Sequence, residues 1–483
     1  MLPDDRGPAG RHYTAAVDVI ARRSAMPAPL ASLWTWHIRP GALERLTPPW
    51  DPVRVLARSA NDVGEGTRVT LQVPVGPFHV TWVAEHRDVK PPHGFADVQI
   101  HGPFAHWIHW HEMAEDGPGT STLEDRIEFD GPLGAPGRAL ARRLVAGRLP
   151  ALLRYRHETL AADLAAHARV SDRPRLTVGI TGASGMLGRA LTHFLTTGGH
   201  RVVRVVRSQA RIEPRPASDI DAVIDAPWDT ARGFLQRDRL PRLDVVVHLA
   251  GAGVADKRWT ASRMALIRDS RVEGTTTLAR ALAALDHPPE ALLCASAIGF
   301  YGFDGAAPVD ETAPAGRGFL AEVCRDWEAA ADPARAAGIR VAHLRLGLVL
   351  SPAGGVLKAA LLPFRAGLGG VIGSGTQGMS WVGLDDVLGA FYQAMYDRSL
   401  AGAINVTAPE PVSNRAFTEA LGRALRRPTI VPVPPAGLRL LLGRQMADET
   451  ALSSAWVRPA RLEAAGFRFR HRTLDAALAH YLP

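Results

Sequence analysis

The chain has 483 residues, 46% hydrophobic and 22% charged, an ordinary globular composition with room for two or three domains that excludes a disordered chain. Its 56 Lys and Arg against 48 Asp and Glu leave a formal net charge of +8, yet the basic residues are scattered Arg rather than runs, so a solvated basic surface is expected and a nucleic-acid groove is not. Two cysteines, Cys294 and Cys324, exclude a disulfide scaffold and a cysteine zinc site. With no charged-then-apolar leader and no run of about 18 apolar residues, a cytoplasmic protein without a membrane span is expected.

Residues 1–170 hold Trp34, Trp36, Trp50, Trp82, Trp107 and Trp110, and show strand-like alternation over Thr67–Val73, Phe78–His86, Gly94–Ile100 and Ser121–Phe129. This reads as an antiparallel sheet. A helical pattern, Ala139–His167, follows with Leu140, Leu144, Leu149, Leu152, Leu153, Leu160 and Leu164 on a broad apolar face. Together with TWHIRPGALERLTPPW and DRIEF, this order resembles the START and polyketide-cyclase-like (SRPBCC) superfamily. The resemblance implies an α+β helix-grip fold, and an apolar ligand held between curved sheet and last helix stands beside the reading of the same stripes as plain core. His101, His106, His109 and His111 lack a helical His-x-x-x-His context, so no metal is expected. The Ala, Arg and Pro-rich stretch Ala168–Arg175 reads as a linker.

From Leu176 the pattern is strand, turn, helix. Leu176, Val178 and Ile180 form an apolar run ended by Thr181 and Gly182, and Met186–Leu195 is amphipathic. Gly182 suits a sharp turn, Gly185 removes a Cβ that would hold a pyrophosphate off the backbone, and Gly188 lets helix and strand pack closely. The helix N-terminus offers N–H groups and the positive end of its dipole, so the turn reads as a dinucleotide phosphate cradle. The next strand, His200–Val206, ends in Arg207-Ser208 rather than Asp or Glu. A carboxylate there would accept the ribose hydroxyls of NAD, whereas Arg207, helped by Arg204 or Ser208, matches the 2′-phosphate of NADP. NADP is therefore the expected cofactor, with NAD the other dinucleotide the turn would accept. Ile220–Asp225 and Leu243–Leu249 read as further strands, the latter running into Ala250-Gly251-Ala252-Gly253; Arg263–Leu285 as a helix; and Ala291–Ser296 as a buried strand opening onto SAIGFYG.

TGASGMLG, VVVHLAGAG, SRVEGT and SAIGFYG, in that order, resemble the extended short-chain dehydrogenase/reductase superfamily. VADKRWT, LLPFRAGLGGVIGSGTQGMSW and RPARLEAAGFRF narrow the resemblance to its epimerase-like family, labelled sugar-nucleotide epimerase or cell-division-inhibitor-like, with a C-terminal domain of unknown function. The implied fold is a Rossmann-type doubly wound parallel sheet over 176–428, a small α-rich domain over 429–483, and the helix-grip domain in front. The resemblance assigns Gly182, Ala183, Ser184, Gly185, Met186, Leu187 and Gly188 to the cofactor turn, Arg207 to the adenosine phosphate, and Ala250 and Gly251 to the nicotinamide side.

Superfamily members use a Ser, a Tyr and a Lys four residues after the Tyr. Ser296 fits the first role, but Phe319–Glu328 reads FLAEVCRDWE where Tyr-x-x-x-Lys belongs, so Tyr301 is the nearest proton donor. A Tyr without its Lys stays near its free pKa of about 10, an adequate acid for reduction and a poor base for oxidation. Farther on, Gly338–Leu350 reads as a strand with Arg345 near its end, Gly367–Gly378 as a flexible or compact loop, and Asp385-Asp386 as helix caps. Ala436–Pro483 reads as helices with a short strand near Phe467–Phe469. The leading reading is an NADP-dependent oxidoreductase acting on a carbonyl or hydroxyl of a small molecule, an apolar one included. The alternatives are a non-catalytic NADP(H) sensor and a nucleotide-sugar epimerase, and the N-terminal region reads alternatively as a carrier for an apolar substrate.

Overall fold

A computed structural model describes residues 17–482 except 52, 61, 76–77, 133, 146, 208–222, 230–233, 236–239 and 303. Its contacts separate two units: the described residues up to Thr35 with Val53–Ala161, and Trp36–Pro52 with Ala162 onward.

The first unit is an antiparallel sheet of seven strands: β1 (Asp18–Met26), β2 (Arg54–Arg58), β3 (Arg68–Val75), β4 (Phe78–Lys90), β5 (Gly94–His101), β6 (His106–Gly117) and β7 (Thr120–Asp130). Its order is β1-β7-β6-β5-β4-β3-β2, so the N-terminal strand returns beside the last. Period-two alternation puts Ile127 and Phe129 on one face, where they pack with Ala141, Leu149 and Leu153 from the helical stretch behind the sheet. That stretch is two helices, Ala135–Val145 and Leu149–Ala168, rather than the single Ala139–His167 helix expected from the leucine spacing. Pro150 supplies the reason: it lacks an N–H and its ring clashes with the carbonyl four residues back, so one helix ends before it and another starts around it. Leu140, read as part of the apolar stripe, is 58% exposed.

The second unit is built on an eight-stranded sheet of β8 (Thr177–Thr181), β9 (Arg201–Arg207), β10 (Val223–Asp229), β11 (Phe234–Leu235), β12 (Val245–His248), β13 (Ala291–Ala297), β14 (Arg340–Leu346) and a later strand. Beyond β14 come β15 (Leu348–Leu350), β16 (Gly378–Met379), β17 (Trp381–Gly383), β18 (Gly402–Val406) and β19 (Val412–Ser413); β18 completes the sheet, in the order β11-β10-β9-β8-β12-β13-β14-β18. All its pairings are parallel except β10 with β11. Both faces are covered, which is why the strands are continuous Val, Ile and Leu. Val178, Ile180, Val245, Val247 and Leu293 pack on one face with Leu191, Phe194 and Phe391; Val203, Val246, Leu292 and Cys294 pack on the other with Leu278, Leu282 and Ala334. Each fully buried Val, Ile or Leu contributes about 1.5–3 kcal/mol. This is the doubly wound parallel fold, and β10 takes up only the end of the Ile220–Asp225 stretch, whose first residues lie outside the described set.

Three local expectations change. The strand read through Leu350 is interrupted at Gly347, where a Cβ would stand 2.5 Å from the Ser380 carbonyl oxygen, so β14 and β15 belong to different sheets. No strand forms at Phe467–Phe469; the rings of these two residues pack edge to face, 4.7 Å between centroids, on the core of the parallel sheet. Asp385 and Asp386 are not caps, since Gly383 is the N-cap of the Leu384–Tyr396 helix and both aspartates are buried in its first turn. Asp386 accepts from the backbone N–H of Arg470 (2.6 Å) and His471 (3.3 Å), fastening the C-terminal segment to this helix.

Candidate functional site

Numbering the parallel strands in chain order gives 3-2-1-4-5-6-7, so the order reverses between β8 and β12. An open parallel sheet holds its ligand at such a reversal, outside the strands' carboxyl ends. Gly182 and Ala250 lie just past the ends of these two strands. Gly182 has φ 67, and a Cβ on it would lie 2.8 Å from the Leu249 carbonyl and 2.9 Å from Ala250 N, so only glycine lets the two loops approach. A Cβ on Gly188 would lie 2.3 Å from Gly182 O and 2.6 Å from Ala183 Cα, which is the close helix-to-turn packing the spacing implies. Gly185 differs. It is the N-cap of the Met186–Thr197 helix with φ −72, and its Cβ would meet only Gly182 O at 3.2 Å. Ser184 and Gly185 are exposed at the helix N-terminus, Met186 and Leu187 half-buried, and Ala183 buried beneath.

Below the turn a buried chain of hydrogen bonds fixes the two loops. Thr181 Oγ1 lies 2.6 Å from His248 Nδ1, His248 Nε2 is 3.0 Å from Thr275 Oγ1, and Trp327 Nε1 donates to the same Thr275 oxygen at 2.9 Å. The Leu249 and Ala250 N–H groups point at Thr181 Oγ1 (3.2 and 3.3 Å). Burial pushes His248 down to about 4, so the ring is neutral and serves as a fixed spacer. The turn after β12 is held from the Ala261–Ala283 helix: Ser270 Oγ accepts from Ala252 N at 3.1 Å and Arg271 donates to Ala252 O at 2.9 Å, its guanidinium over the Trp327 ring. This gives SRVEGT a physical task beside Gly251.

Arg207 closes β9, on the same side of the sheet as the glycine turn; its side chain, and the whole of Ser208, lie outside the described residues. Arg204, the other helper expected there, is committed elsewhere, gripping Asp225 of the neighbouring strand through two hydrogen bonds of 2.6 and 2.5 Å.

Ser296 stands two residues beyond Cys294, the partner of His248, so it leaves the sheet level with Ala250. Its hydroxyl donates to Glu328 Oε1 at 2.7 Å. Arg345 grips both Glu328 oxygens at 2.8 Å and donates to Tyr301 Oη at 2.9 Å; Tyr301 donates to Asn405 Oδ1 at 2.7 Å. Ser296 and Tyr301 are thus ends of one network, and the Arg345 guanidinium lies 3.4 Å over the Phe300 ring. Burial raises the Tyr301 hydroxyl above its ordinary value against the pull of Arg345, whose charge Glu328 neutralises, so it holds its proton. Where the superfamily has Lys, this chain puts an Arg from another strand against the Tyr. Glu328, Arg345 and Asn405 are the residues sequence reasoning did not assign; three polar residues at the ends of a buried helix and two buried strands were the available signal. Cys324, buried and pushed up to about 12 by desolvation, is an inert thiol.

A pocket of about 520 Å³ is lined by Asp304, Ser374, Thr376, Gln377, Ser454 and Trp456 among others. The Gly367–Gly378 loop that supplies part of it is pinned rather than free: Ile372 N donates to Asn414 Oδ1, and Gly370 and Ile372 bridge to Ile430 and Val433.

Comparison with known proteins agrees with this geometry. Residues 178–406 match the NAD dependent epimerase/dehydratase family, 26–153 the polyketide cyclase / dehydrase and lipid transport family, and 433–481 a domain of unknown function (DUF1731). An epimerase family protein of Mycobacterium bovis, Mb2239, is 40% identical over 303 residues, covering 63% of this chain and 96% of the relative. The chain belongs to the epimerase family. Within it, the crystal structure of human epimerase family protein SDR39U1 (isoform 2) with NADPH superposes with a TM-score of 0.56 at 32% identity, over 63% of this chain and 99% of the human one. A nucleoside-diphosphate sugar epimerase from Corynebacterium glutamicum superposes over 96% of this chain and 90% of its own, with a TM-score of 0.76 and 34% identity. The polyketide-cyclase match accounts for the helix-grip unit in front of the epimerase fold. Among the described residues no helix is long and apolar enough to cross a membrane.

Proposed function

We propose that this epimerase-family chain is an NADP-dependent oxidoreductase that reduces a carbonyl of a small molecule. The observation that carries it is the approach of Gly182 to Ala250 at the strand-order reversal, which leaves a cradle open at Gly185. The human relative's bound NADPH and the Arg that ends β9 both favour NADP over NAD. Gly182 to Gly188 would hold the pyrophosphate, Arg207 the 2′-phosphate, and Ala250 and Gly251 the nicotinamide side. Bound there, the nicotinamide supplies the hydride that goes to a carbonyl carbon. Tyr301, protonated by burial, would give its proton to the carbonyl oxygen, and Ser296 would turn its hydroxyl from Glu328 to orient that oxygen. The hydroxyl-rich pocket with Trp456 at its wall suits a polar substrate with an apolar face. Nucleotide-sugar epimerisation fits less well, because it needs a base in its first half and a raised Tyr is a weak one.

A second reading has its own observation. Both hydroxyl protons are already given, to Glu328 and to Asn405, as in a structural network, which suits an NADP(H) sensor without turnover. Titration with NADPH and NADH, followed by a panel of carbonyl compounds and sugar nucleotides watched for loss of NADPH absorbance, separates the two. Turnover that Tyr301→Phe slows on the order of 100-fold without weakening NADPH binding supports the reductase. Tight NADPH binding with no turnover across the panel supports the sensor.

A further inference from the structure

The first unit carries a cluster that the cofactor site does not use. In β6 the alternation that sends Trp107 to the packed face of the sheet sends His109 and His111 there too, and the register sets Asp97 of β5 opposite His109 and Asp125 of β7 opposite His111. His86 of β4 lies opposite Asp97. His101 and His106, the other histidines of the run, stay outside the cluster, so strand geometry selects two of four.

Asp97, His109 and His111 each bring a ligand atom within 4.8 Å of the other two. His111 Nε2 lies 3.2 Å from Asp97 Oδ2. A tetrahedral ion with bonds of about 2.0–2.1 Å needs its ligand atoms about 3.3 Å apart, so this pair is already at the required spacing. The two imidazole rings are 4.0 Å apart between centroids, and both histidines are buried. His109 Nε2 sits 3.4 Å from Asp125 Oδ1 without hydrogen-bond geometry. The surrounding groups are those a metal-binding His requires. Asp125 Oδ1 lies 2.7 Å from His111 Nδ1, the opposite ring nitrogen faces Asp97, and Asp125 is itself met by His157 Nε2 at 3.2 Å, whose other nitrogen meets Ser24 Oγ at 2.9 Å. Phe95 stacks on the His111 ring at 4.4 Å and fixes its plane.

We propose that Asp97, His109 and His111 form a binding site for a divalent first-row transition-metal ion such as Zn²⁺, with Asp125 as the carboxylate that orients His111. Two imidazoles and one carboxylate suit Zn²⁺ or Fe²⁺ and leave coordination positions open, the composition of a reactive rather than a structural centre. The second grouping of this kind, Asp385, His471 and His480, carries no such proposal, because Asp385 is already paired with Arg45 and Arg470.

The test uses tag-free full-length protein stripped with a chelator, then equilibrium dialysis against Zn²⁺ and a visible spectrum with Co²⁺. One Zn²⁺ per chain is expected, with Co²⁺ d–d bands; both should be lost in His109→Ala and in the near-isosteric Asp97→Asn, which guards against a folding defect. Asp125→Asn should weaken the ion by about 10–100-fold, and His471→Ala should leave it unchanged. Failure of the parent protein to bind, or binding that survives Asp97→Asn and His109→Ala in folded protein, overturns the proposal.

Discussion

At the scale of single residues the glycine turn separates packing from ligand space. Gly188→Ala places a Cβ 2.3 Å from a backbone oxygen that cannot rotate away, so overpacking of about 1–3 kcal/mol outweighs the roughly 1 kcal/mol of helix propensity gained. A lower unfolding midpoint in urea is expected. Gly185→Ala meets a single atom at 3.2 Å in a backbone conformation any residue adopts, so its stability should shift by only a few tenths of a kcal/mol. Its NADPH affinity, read by calorimetry, should fall, because the methyl occupies the space assigned to the pyrophosphate. An unchanged affinity would place the phosphate elsewhere. Arg207→Ala should cost NADPH about 1.5–3 kcal/mol, the scale of a charged hydrogen bond, and leave NADH nearly untouched; equal losses would remove Arg207 from the 2′-phosphate.

At the scale of elements, the second unit is locked by a buried charge network that joins segments far apart in the chain. Arg45 pairs with Asp163 at 2.7 Å and with Asp385 at 2.6 Å, and Arg470 contacts both aspartates. Burial alone would raise both carboxyls, yet the two guanidiniums hold them below the usual carboxylate range. Tyr481 Oη donates to Asp385 Oδ2 at 2.9 Å, bringing in the C-terminal helix Leu474–Tyr481. Removing one partner strands buried charge, so Arg45→Ala should destabilise the second unit by about 3–5 kcal/mol in a urea titration. Arg45→Met, which likewise takes the Arg45 guanidinium from both aspartates and leaves them to Arg470, should do no better. The network explains why Asp385-Asp386 misled as a capping pair: polar residues at a helix start look the same in sequence whether they meet their own N–H groups or an Arg some 340 residues earlier.

At the scale of the whole second unit, four histidines are buried and neutral: His167, His248 and His343, pushed by burial to about 4, and His200, to about 3. Their folded values lie below the unfolded value near 6.5, so between pH 6.5 and about 4 the unfolded chain binds more protons and stability falls as pH falls. Each group forfeits on the order of 3 kcal/mol across that window, while the Asp386 carboxyl, pushed up to about 7 by burial, offsets part of the loss. The second unit should therefore be less stable at pH 5.5 than at pH 7. Urea midpoints at pH 7 and pH 5.5 check this, and His248→Gln should flatten the slope by one group's share.

What the sequence determined by itself was what is local or periodic. Three glycines between an apolar strand and an amphipathic helix dictate a turn whatever surrounds it, runs of Val and Ile buried on both faces dictate a parallel sheet, and alternation puts His109 and His111 on one side of their strand. The ordered motifs after Leu176 were legible for the same reason. Only the tertiary structure decided which strand ends meet. It brought Arg345 of β14 against Tyr301, turned Ser296 toward Glu328 on a helix, committed Arg204 to Asp225, and set Asp97 beside His109 and His111 across two strands. A polar side chain carries no periodic signal of its partner. Its chemistry is fixed by charges and hydrogen bonds from remote segments, and those distances exist only once the chain has folded.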